Sequence, residues 1–578
     1  MSVASSPLAG VNVVNQGAGL APALISKFLG ELGARVVRLA PLQSDPFNSI
    51  YPAYEALRGH EQNEPQSLVS AVAAVDVCIL GGEDHPELAP RTAAETLLAA
   101  NPRLIVLDIQ GYPAGVGGMG RHAVDILVQA RSGICYEHYS DRPNFVTYQP
   151  TQYGAAMQGL IGILTALYER EFSGRGQGVS TSLYEGALCW LTTWSRAENA
   201  TPMFKFSMPL DPRPILLQCK DGLYVHVCLG SAGAKATLYR ILGIDAPGMD
   251  PNDAGLPNPA DPPHKFFGDI ELLASYAANW HSAELLDAFT KAGLPGEIAL
   301  PPGACWDHPQ VQHNGLIRSN DAGVRHVGNP LTIRAVSSDD KPQPPVDQRP
   351  LSGLTVLDFG AFVAGPVSSV MLSDLGAEVI KVEPLNGDPM RSVVRPFNSA
   401  SRGKKSLAVD MKSAEGAEIV RRLCDAADIV TNNFRPGVSA KLGIDAATLH
   451  ARKPSLIVLE APGYGASGPT AQKGAFDPIL QALCGHEYRA GGEGNAPLWS
   501  RTAMVDYSGG YLGAIATLAA LYNRARTGDG AEIVSPLLNA GIFLLSELIH
   551  SAEAGFAGAA LANAEQTGFR PAESMYRT

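Results

Sequence analysis

Charge and long apolar runs are both scarce in this 578-residue chain. Charged residues make up 17% of it and leave a formal net charge of −12. That balance argues against nucleic acid or an acidic membrane surface as the main partner, because both attract clustered Lys and Arg. Local basic groups remain able to hold an anionic ligand. No stretch reaches the roughly 18 apolar residues of a membrane span, and the opening MSVASSPLAG lacks a basic start followed by a sustained apolar core. The eight cysteines, at 78, 135, 189, 219, 228, 305, 424 and 484, form no C-x-x-C pair and no metal-ligand spacing. Reduced, mostly buried thiols, no metal, no tightly bound cofactor and a soluble cytoplasmic protein are expected. Apolar material is ample, with 46% hydrophobic residues and a mean hydropathy near zero. The length calls for several domains, since one usually takes about 100–200 residues.

An internal repeat organises the chain. Residues 8–41, LAGVNVVNQGAGLAPALISKFLGELGARVVRLAP, align without a gap with 351–384, LSGLTVLDFGAFVAGPVSSVMLSDLGAEVIKVEP, at an offset of 343. Each copy reads as a buried strand, a small-residue turn, a helix and a second strand, which in the first copy fall at 11–14, 21–32 and 35–39. Such βαβ units build parallel α/β folds. NPRLIVLDIQGYPAGVG at 101–117 matches KPSLIVLEAPGYGASGP at 453–469, and VDILVQARSG at 124–133 matches FDPILQALCG at 476–485, now at an offset of 352. The first copy has therefore lost about nine residues. The loss is assigned to the stretch after 41, where it removes the counterpart of the basic KKSLAVDMK. ALYEREFSGRG at 166–176 matches ALYNRARTGDG at 520–530.

Residues 211–335 have no partner in the repeat. They read as a small α+β domain, with a strand-like GLYVHVCLG at 222–230, a helical SAELLDAFTKAG at 282–293, a loop at 246–264 and a closing segment that returns to the first large domain. The proline-rich 336–350 is a linker. The expected organisation is thus a first large domain at 1–210, the small domain at 211–335, the linker, and a second large domain at 351–578 that is truncated relative to the first.

The chemistry centres on MVDYSGG at 504–510, where Asp506 precedes an apolar stripe at 511, 512, 515, 518, 519 and 522 that marks a helix over 511–525 ending at Gly528 and Gly530. Asp506 then lies just upstream of a helix N-terminus. It is either a cap or an ionised nucleophile at a glycine-lined turn, able to form an anhydride with an acyl or phosphoryl centre. Local spacing does not decide between them. The matching turn of the first copy, YQPTQYG, carries Gln152, which has no such reactivity.

The ordered set LSGLTVLDFGAFVAGP, LGAEVIKVEP, KKSLAVDMK, NNFRPGVSAKLGI, GYGASGP, FDPILQALCG and MVDYSGG, spread from 351 to about 538, resembles the type III CoA-transferase family, also called CaiB/BaiF. The resemblance implies an α/β fold of Rossmann-like large domains plus a smaller α+β domain. It also implies an activity: CoA moved from an acyl-CoA to a carboxylic acid, with Asp506 as nucleophile passing through an aspartyl anhydride and an aspartyl-CoA thioester. Lys412 and Lys441 fall where relatives place contacts to CoA phosphates, with Val409 and Arg435 beside them. Asn433 and Phe434 match residues along the adenine and pantetheine path. Val363 and Ala364 match the turn near the thioester, and Gly463 and Tyr464 a further CoA-contacting loop. Pro384 and Pro462 stand where some members carry a basic residue. DFGAFVAGP lacks G-x-G-x-x-G spacing and is not a dinucleotide fingerprint.

Members that racemise α-methylacyl-CoA esters have a His where this chain has Phe476, so that reading loses its base; His486 nearby reads as structural. The first copy reads as inert, and a non-catalytic CoA-ester-binding protein is a further alternative. Family members are interlocked homodimers, which implies an intramolecular pseudo-dimer here, with 211–335 helping to close the Asp506 site. The segment AGGEGNAP at 490–497 is a loop or a mobile cover.

Overall fold

The computed structural model describes residues 6–39, 45–64, 68–85, 92–116, 121–136, 142–191, 214–255, 268–340 and 342–576. Part of the loop expected at 246–264 lies outside the described residues. Four sheets are built from them. The first contains β1 (Asn12–Asn15), β2 (Arg35–Leu39), β3 (Glu61–Glu64), β4 (Val77–Gly81), β5 (Ile105–Gln110) and β6 (Gln177–Ser182). Its order is β3-β2-β1-β4-β5-β6, and every pairing is parallel. A small antiparallel sheet follows, of β7 (Ile215–Gln218), β8 (Tyr224–Val227) and β9 (Gly296–Ile298). It shares its own core with the helices Ala234–Leu242, Ile270–Ala277 and Ser282–Ala292. Then come β10 (Ile317–Ser319), β11 (Arg325–Val327) and β12 (Thr332–Val336). The second large sheet is made of β13 (Thr355–Asp358), β14 (Glu378–Glu383), β15 (Lys404–Ala408), β16 (Ile429–Asn432), β17 (Ile457–Glu460) and β18 (Gly530–Val534), with β12 at its edge. Its central strands are near-continuous apolar runs, as strands covered on both faces must be.

The order β12-β18-β17-β16-β13-β14-β15 corrects one expectation. The segment at 332–336 does not return to the first sheet; it pairs antiparallel with β18 of the second, Thr332 opposite Val534. Antiparallel addition needs only a short approach along the edge, so the chain that has crossed over reaches that sheet directly. The last strands, β19 (Ile549–Ser551) and β20 (Gly555–Ala557), pair in turn with β11. Each half is therefore hydrogen-bonded into the other.

Five helices position the site: α1 (Leu20–Glu31), α2 (Pro150–Ser173), α3 (Ala364–Asp374), α4 (Asp477–Cys484) and α5 (Met504–Thr527). The twins α2 and α5, 24 residues each, pack on one another and on the first helix of their own half. Close approach of α5 to α3 requires Gly510, since a Cβ there would lie 2.5 Å from Val367 Cγ1. One continuous core runs through both halves. Cross-half bonds include Tyr148 Oη to Thr502 Oγ1 at 3.0 Å and Tyr153 Oη donating to Glu547 at 2.5 Å. Among the described residues no helix is long and apolar enough to cross a membrane.

Strand register refines the repeat. Val36 opposes Glu61 on β3 as Val379 opposes Lys404 on β15, so the offset of 343 persists through β3. The counterpart of the KKSLA strand is thus present in the first half, with its charge reversed, and the deletion falls after it. In the second half Lys404 Nζ donates to Asp358 at 2.8 Å, and both side chains are buried. In the first half the same two places hold Asn15 and Glu61, with the donor now on β1, at 2.8 Å. Lys381 and Arg38 play one role in both: each donates to the carbonyl after its first strand, Gly360 or Gly17, and pairs with Asp388 or Asp45. Burial pushes the Asp358 pKa up, but the ammonium groups of Lys404 and Lys381 outweigh it and hold the carboxyl below its usual range.

Replacing Lys404 by Met removes the cation hydrogen-bonded to the buried Asp358 carboxylate, leaving only the more weakly acting Lys381, and should lower stability by about 3 kcal/mol in urea unfolding. The double variant Asp358→Asn, Lys404→Glu, which imports the first-half pair, should recover part of that loss. No recovery would show that the two pairs are not interchangeable.

Candidate active site

The helix carrying Asp506 begins earlier than its apolar stripe suggests. It starts at Met504, after Ala503 in a left-handed conformation at φ 49°. The reason lies on another helix: Asp477, the first residue of α4, accepts the backbone N–H of Val505 at 2.8 Å and of Asp506 at 3.3 Å. The cap is therefore supplied from outside, and Asp506 sits in the first turn with its own carboxylate free of that duty. Asp477 is held by Gln481 at 2.6 Å, whose amide also bonds both backbone groups of Ser500. The first half repeats the device, with Asp125, Gln129 and Val146 in those roles and Gln149 in the left-handed position.

The halves part at one residue. Gln152 is fully buried, and its Oε1 accepts the N–H of Ala21 at the start of α1, 3.2 Å away. At the equivalent place Asp506 is half-buried, and no described donor hydrogen-bonds its carboxylate. One turn further along α5, Gly509 and Gly510 pack against Ala364, the first residue of α3 after Val363. Burial, then the nearby Asp477 carboxylate, push the Asp506 pKa well above the usual range. Burial raises Asp477 as well. Two carboxylates this close do not both ionise readily. The half-buried thiol of Cys228, just after β8 of the small sheet, adjoins both acids.

A cavity of about 430 Å³ opens at the C-terminal ends of β13, β14 and β15, the expected place for a ligand on an open α/β sheet. Val409, Lys412 and Phe434 line it, with Gly360 and Ala361 leading on to Val363. Lys441, itself exposed, ends the helix Val438–Lys441, beside the lining residue Leu442. Arg435 is exposed and reaches towards Gly474 and Pro295. Among the described residues, Lys412, Lys441 and Arg435 have no ion-pair partner. Asn433 is engaged internally: its side-chain amide bonds both backbone groups of Ala361, at 2.8 and 2.9 Å. Gly463 presses on Ala475. Tyr464 is fully buried and donates to Glu297 of β9 at 2.7 Å, tying its loop to the small sheet. Asp477, Gln481, Cys228 and Glu297 escaped the sequence reading. The Asp/Gln pair repeated at the same spacing in both halves was the available signal.

The first half differs at the equivalent turn after its fourth strand. Gly81, Gly82 and Glu83 stand at the places of Asn433, Phe434 and Arg435. Glu83 turns inward to accept from Tyr51 at 2.7 Å, beside the stacked Phe47 and Tyr51, and burial pushes its pKa up to about 7.

Phe476 immediately precedes Asp477, and His486 is buried with Nε2 against Gly541 O at 2.7 Å, its pKa held down to about 3 by burial. Neither supplies a proton relay. The loop after Gly491 is fixed by bonds from Glu493, Asn495 and Gln566 that link it to 562–566. Among the described residues no group of three His, Cys, Asp or Glu could hold a metal ion.

A family model described as CoA-transferase family III matches residues 64–349 and again 351–578. The succinyl-CoA–L-malate CoA-transferase alpha subunit of Chloroflexus aurantiacus is 37% identical over 213 residues, covering 35% of this chain and 50% of that protein. A probable CoA-transferase of Mycobacterium tuberculosis is 24% identical over 593 residues, covering 88% of this chain and 72% of its own length. The crystal structure of a CaiB/BaiF family protein from Brucella suis aligns at a TM-score of 0.42 and 21% identity, over 56% of this chain and 92% of that one. The chain spans about half the length of curated relatives such as the Chloroflexus subunit.

Asp477→Asn keeps an oxygen that accepts the two N–H groups but removes the negative charge. Asp506 should then titrate at lower pH, read by 13C NMR of carboxyl-labelled aspartate with Asp506→Asn as the assignment control. An unchanged titration would leave burial as the sole cause of the raised pKa.

Proposed function

This chain belongs to CoA-transferase family III, and from that premise we propose that it moves CoA from an acyl-CoA to a free carboxylic acid at the single site around Asp506. The observation that carries this reading is the half-buried carboxylate without a described donor, set where the first half holds a hydrogen-bonded amide. A relative's name, succinyl-CoA–L-malate CoA-transferase, describes the same class of exchange.

The Asp506 carboxylate attacks the thioester carbonyl, expelling CoA thiolate and leaving a mixed anhydride. The thiolate returns to the aspartyl carbonyl, which releases the donor acid and gives an aspartyl-CoA thioester. The acceptor carboxylate displaces the thiolate to form a second anhydride. Attack of the thiolate on the acceptor's acyl carbon then yields the new acyl-CoA and frees Asp506. The raised pKa suits this cycle, because a more basic carboxylate is a better nucleophile once ionised. Backbone N–H groups at the start of α3 offer stabilisation for the tetrahedral oxyanion, as Ala21 N–H does for Gln152 Oε1. Lys412 in the cavity wall, with Lys441 and Arg435 near it, none of them ion-paired among the described residues, would neutralise CoA phosphates. Val409 and Phe434 would pack the adenine and pantetheine, with Asn433 holding the Ala361 turn in place and Gly463 and Tyr464 bracing the wall towards the small sheet.

The finer architecture follows the same reading. Two large domains of one chain form an interlocked pseudo-dimer, with the small domain closing the Asp506 site through Cys228, through Tyr464 and Glu297, and through His226 against Glu487 at 2.5 Å. The first half then serves as a partner subunit that has given up chemistry.

With an active acyl-CoA, hydroxylamine should convert Asp506 to a hydroxamate detectable by peptide mass spectrometry. Asp506→Asn should abolish both the adduct and transfer, by about three orders of magnitude or more, while Lys412→Ala should raise KM for CoA esters about tenfold. Transfer that survives in Asp506→Asn would refute the covalent route. Exchange of the α-proton with solvent deuterium and no adduct would favour racemisation instead.

A further inference from the structure

Which acyl groups reach Asp506 is a question that two aromatic residues address. Phe362 directly precedes Val363 and Ala364, the segment that opens α3 against α5. Phe476 directly precedes Asp477, which holds the N–H groups of Val505 and Asp506. The two rings meet edge to face, with centroids 5.2 Å apart and planes at 85°. Both residues stay half-buried, Phe476 packing against the edge of the main core. Phe362 has φ 63°, a left-handed conformation that is costly for a bulky side chain and that clusters at functional sites. The first half has Gly19 at that place, with φ 89°, and Val124 at the place of Phe476. Glycine and valine therefore satisfy the fold. The half that keeps the nucleophile carries two aromatic rings there at a conformational cost.

Charge around the site points the same way. Among the described residues the charged group that acts on Asp506 is another acid, Asp477, and Cys228 adds a neutral thiol. Beside Asp506, a second carboxylate on the acyl group would add to the negative charge of Asp477. An uncharged acyl chain would instead cover exposed aromatic surface.

We infer that Phe362 and Phe476 form an apolar acyl subsite beside Asp506, which selects CoA esters of uncharged aliphatic or aromatic monocarboxylic acids over those of dicarboxylic acids. The inference rests on the reading of Asp506 as nucleophile. It names specificity-determining residues for that reaction.

The test uses the full chain and isotope exchange between each CoA ester and its own labelled acid, so that no foreign acceptor is needed: butyryl-CoA with butyrate, phenylacetyl-CoA with phenylacetate, succinyl-CoA with succinate. The monocarboxylic pairs should exchange with kcat/KM about tenfold or more above the succinyl pair. Phe362→Gly, which relieves the left-handed strain and so should not lower Tm, should cut the ratio of monocarboxylic to succinyl exchange about tenfold, and Phe476→Leu should reduce it less. Succinyl exchange as fast as the others in the parent chain would overturn the inference, as would a Phe362→Gly variant that alters all pairs alike. Absence of exchange with every pair would overturn the CoA-transfer reading and this inference with it.

Discussion

A buried side chain on one helix supplies the hydrogen bonds that start another: Asp477 caps α5, and the Asp506 carboxylate is left without a hydrogen bond from any described donor. Everything distinctive about the site depends on that division of labour. A carboxylate that capped its own helix would be stabilised as an anion by several N–H groups and held at low pKa. Set in the first turn with the cap filled by another acid, Asp506 is desolvated, repelled and basic. The same acid that orients it also raises its pKa, so geometry and reactivity have one source.

The first half shows what the scaffold requires where the acid at the Asp506 place is absent. Asp125, Gln129 and the left-handed Gln149 keep the capping device intact, and α2 remains as long as α5. Around that device the halves diverge, with Gln152 bonded to Ala21 where the second half has Asp506, and Glu83 folded inward where it has Arg435. Retention of the device is explained by packing: α2 and α5 lie against each other in the shared core, and losing the start of either would expose that seam. The crossing of β12 into the second sheet and of β19 towards β11 makes the halves inseparable without breaking backbone hydrogen bonds.

Much of this was legible in the sequence because apolar periodicity and an internal repeat are strong signals. The strand, helix and strand expected at 11–14, 21–32 and 35–39 form at Asn12–Asn15, Leu20–Glu31 and Arg35–Leu39. The acid at 506 stood out because its own twin lacks it. What escaped was set by contacts distant in sequence. Helix α5 starts at Met504 because of a side chain on α4, a cause that no local window contains. The return strand joins the second sheet because antiparallel edges accept any strand delivered to them, and periodicity does not name the recipient. The charge swap between Lys404 and Glu61 hid the homology of β15 and β3, although their register is the same. Asn433 and Tyr464 were placed by motif, yet the bonds that occupy their polar groups, to Ala361 and Glu297, join separate elements and one of them comes from the small sheet.

The central claim, that one carboxylate in the second half exchanges its oxygen with the acids it serves, is tested most directly by following oxygen. During turnover with an acceptor acid labelled with heavy oxygen in its carboxylate, the proposed cycle deposits that oxygen in the side chain of Asp506, and peptide mass spectrometry should find the increment on the peptide spanning Met504–Thr527 and none on the peptide containing Gln152. Formation of the new acyl-CoA with no heavy oxygen in the Asp506 peptide would contradict the account.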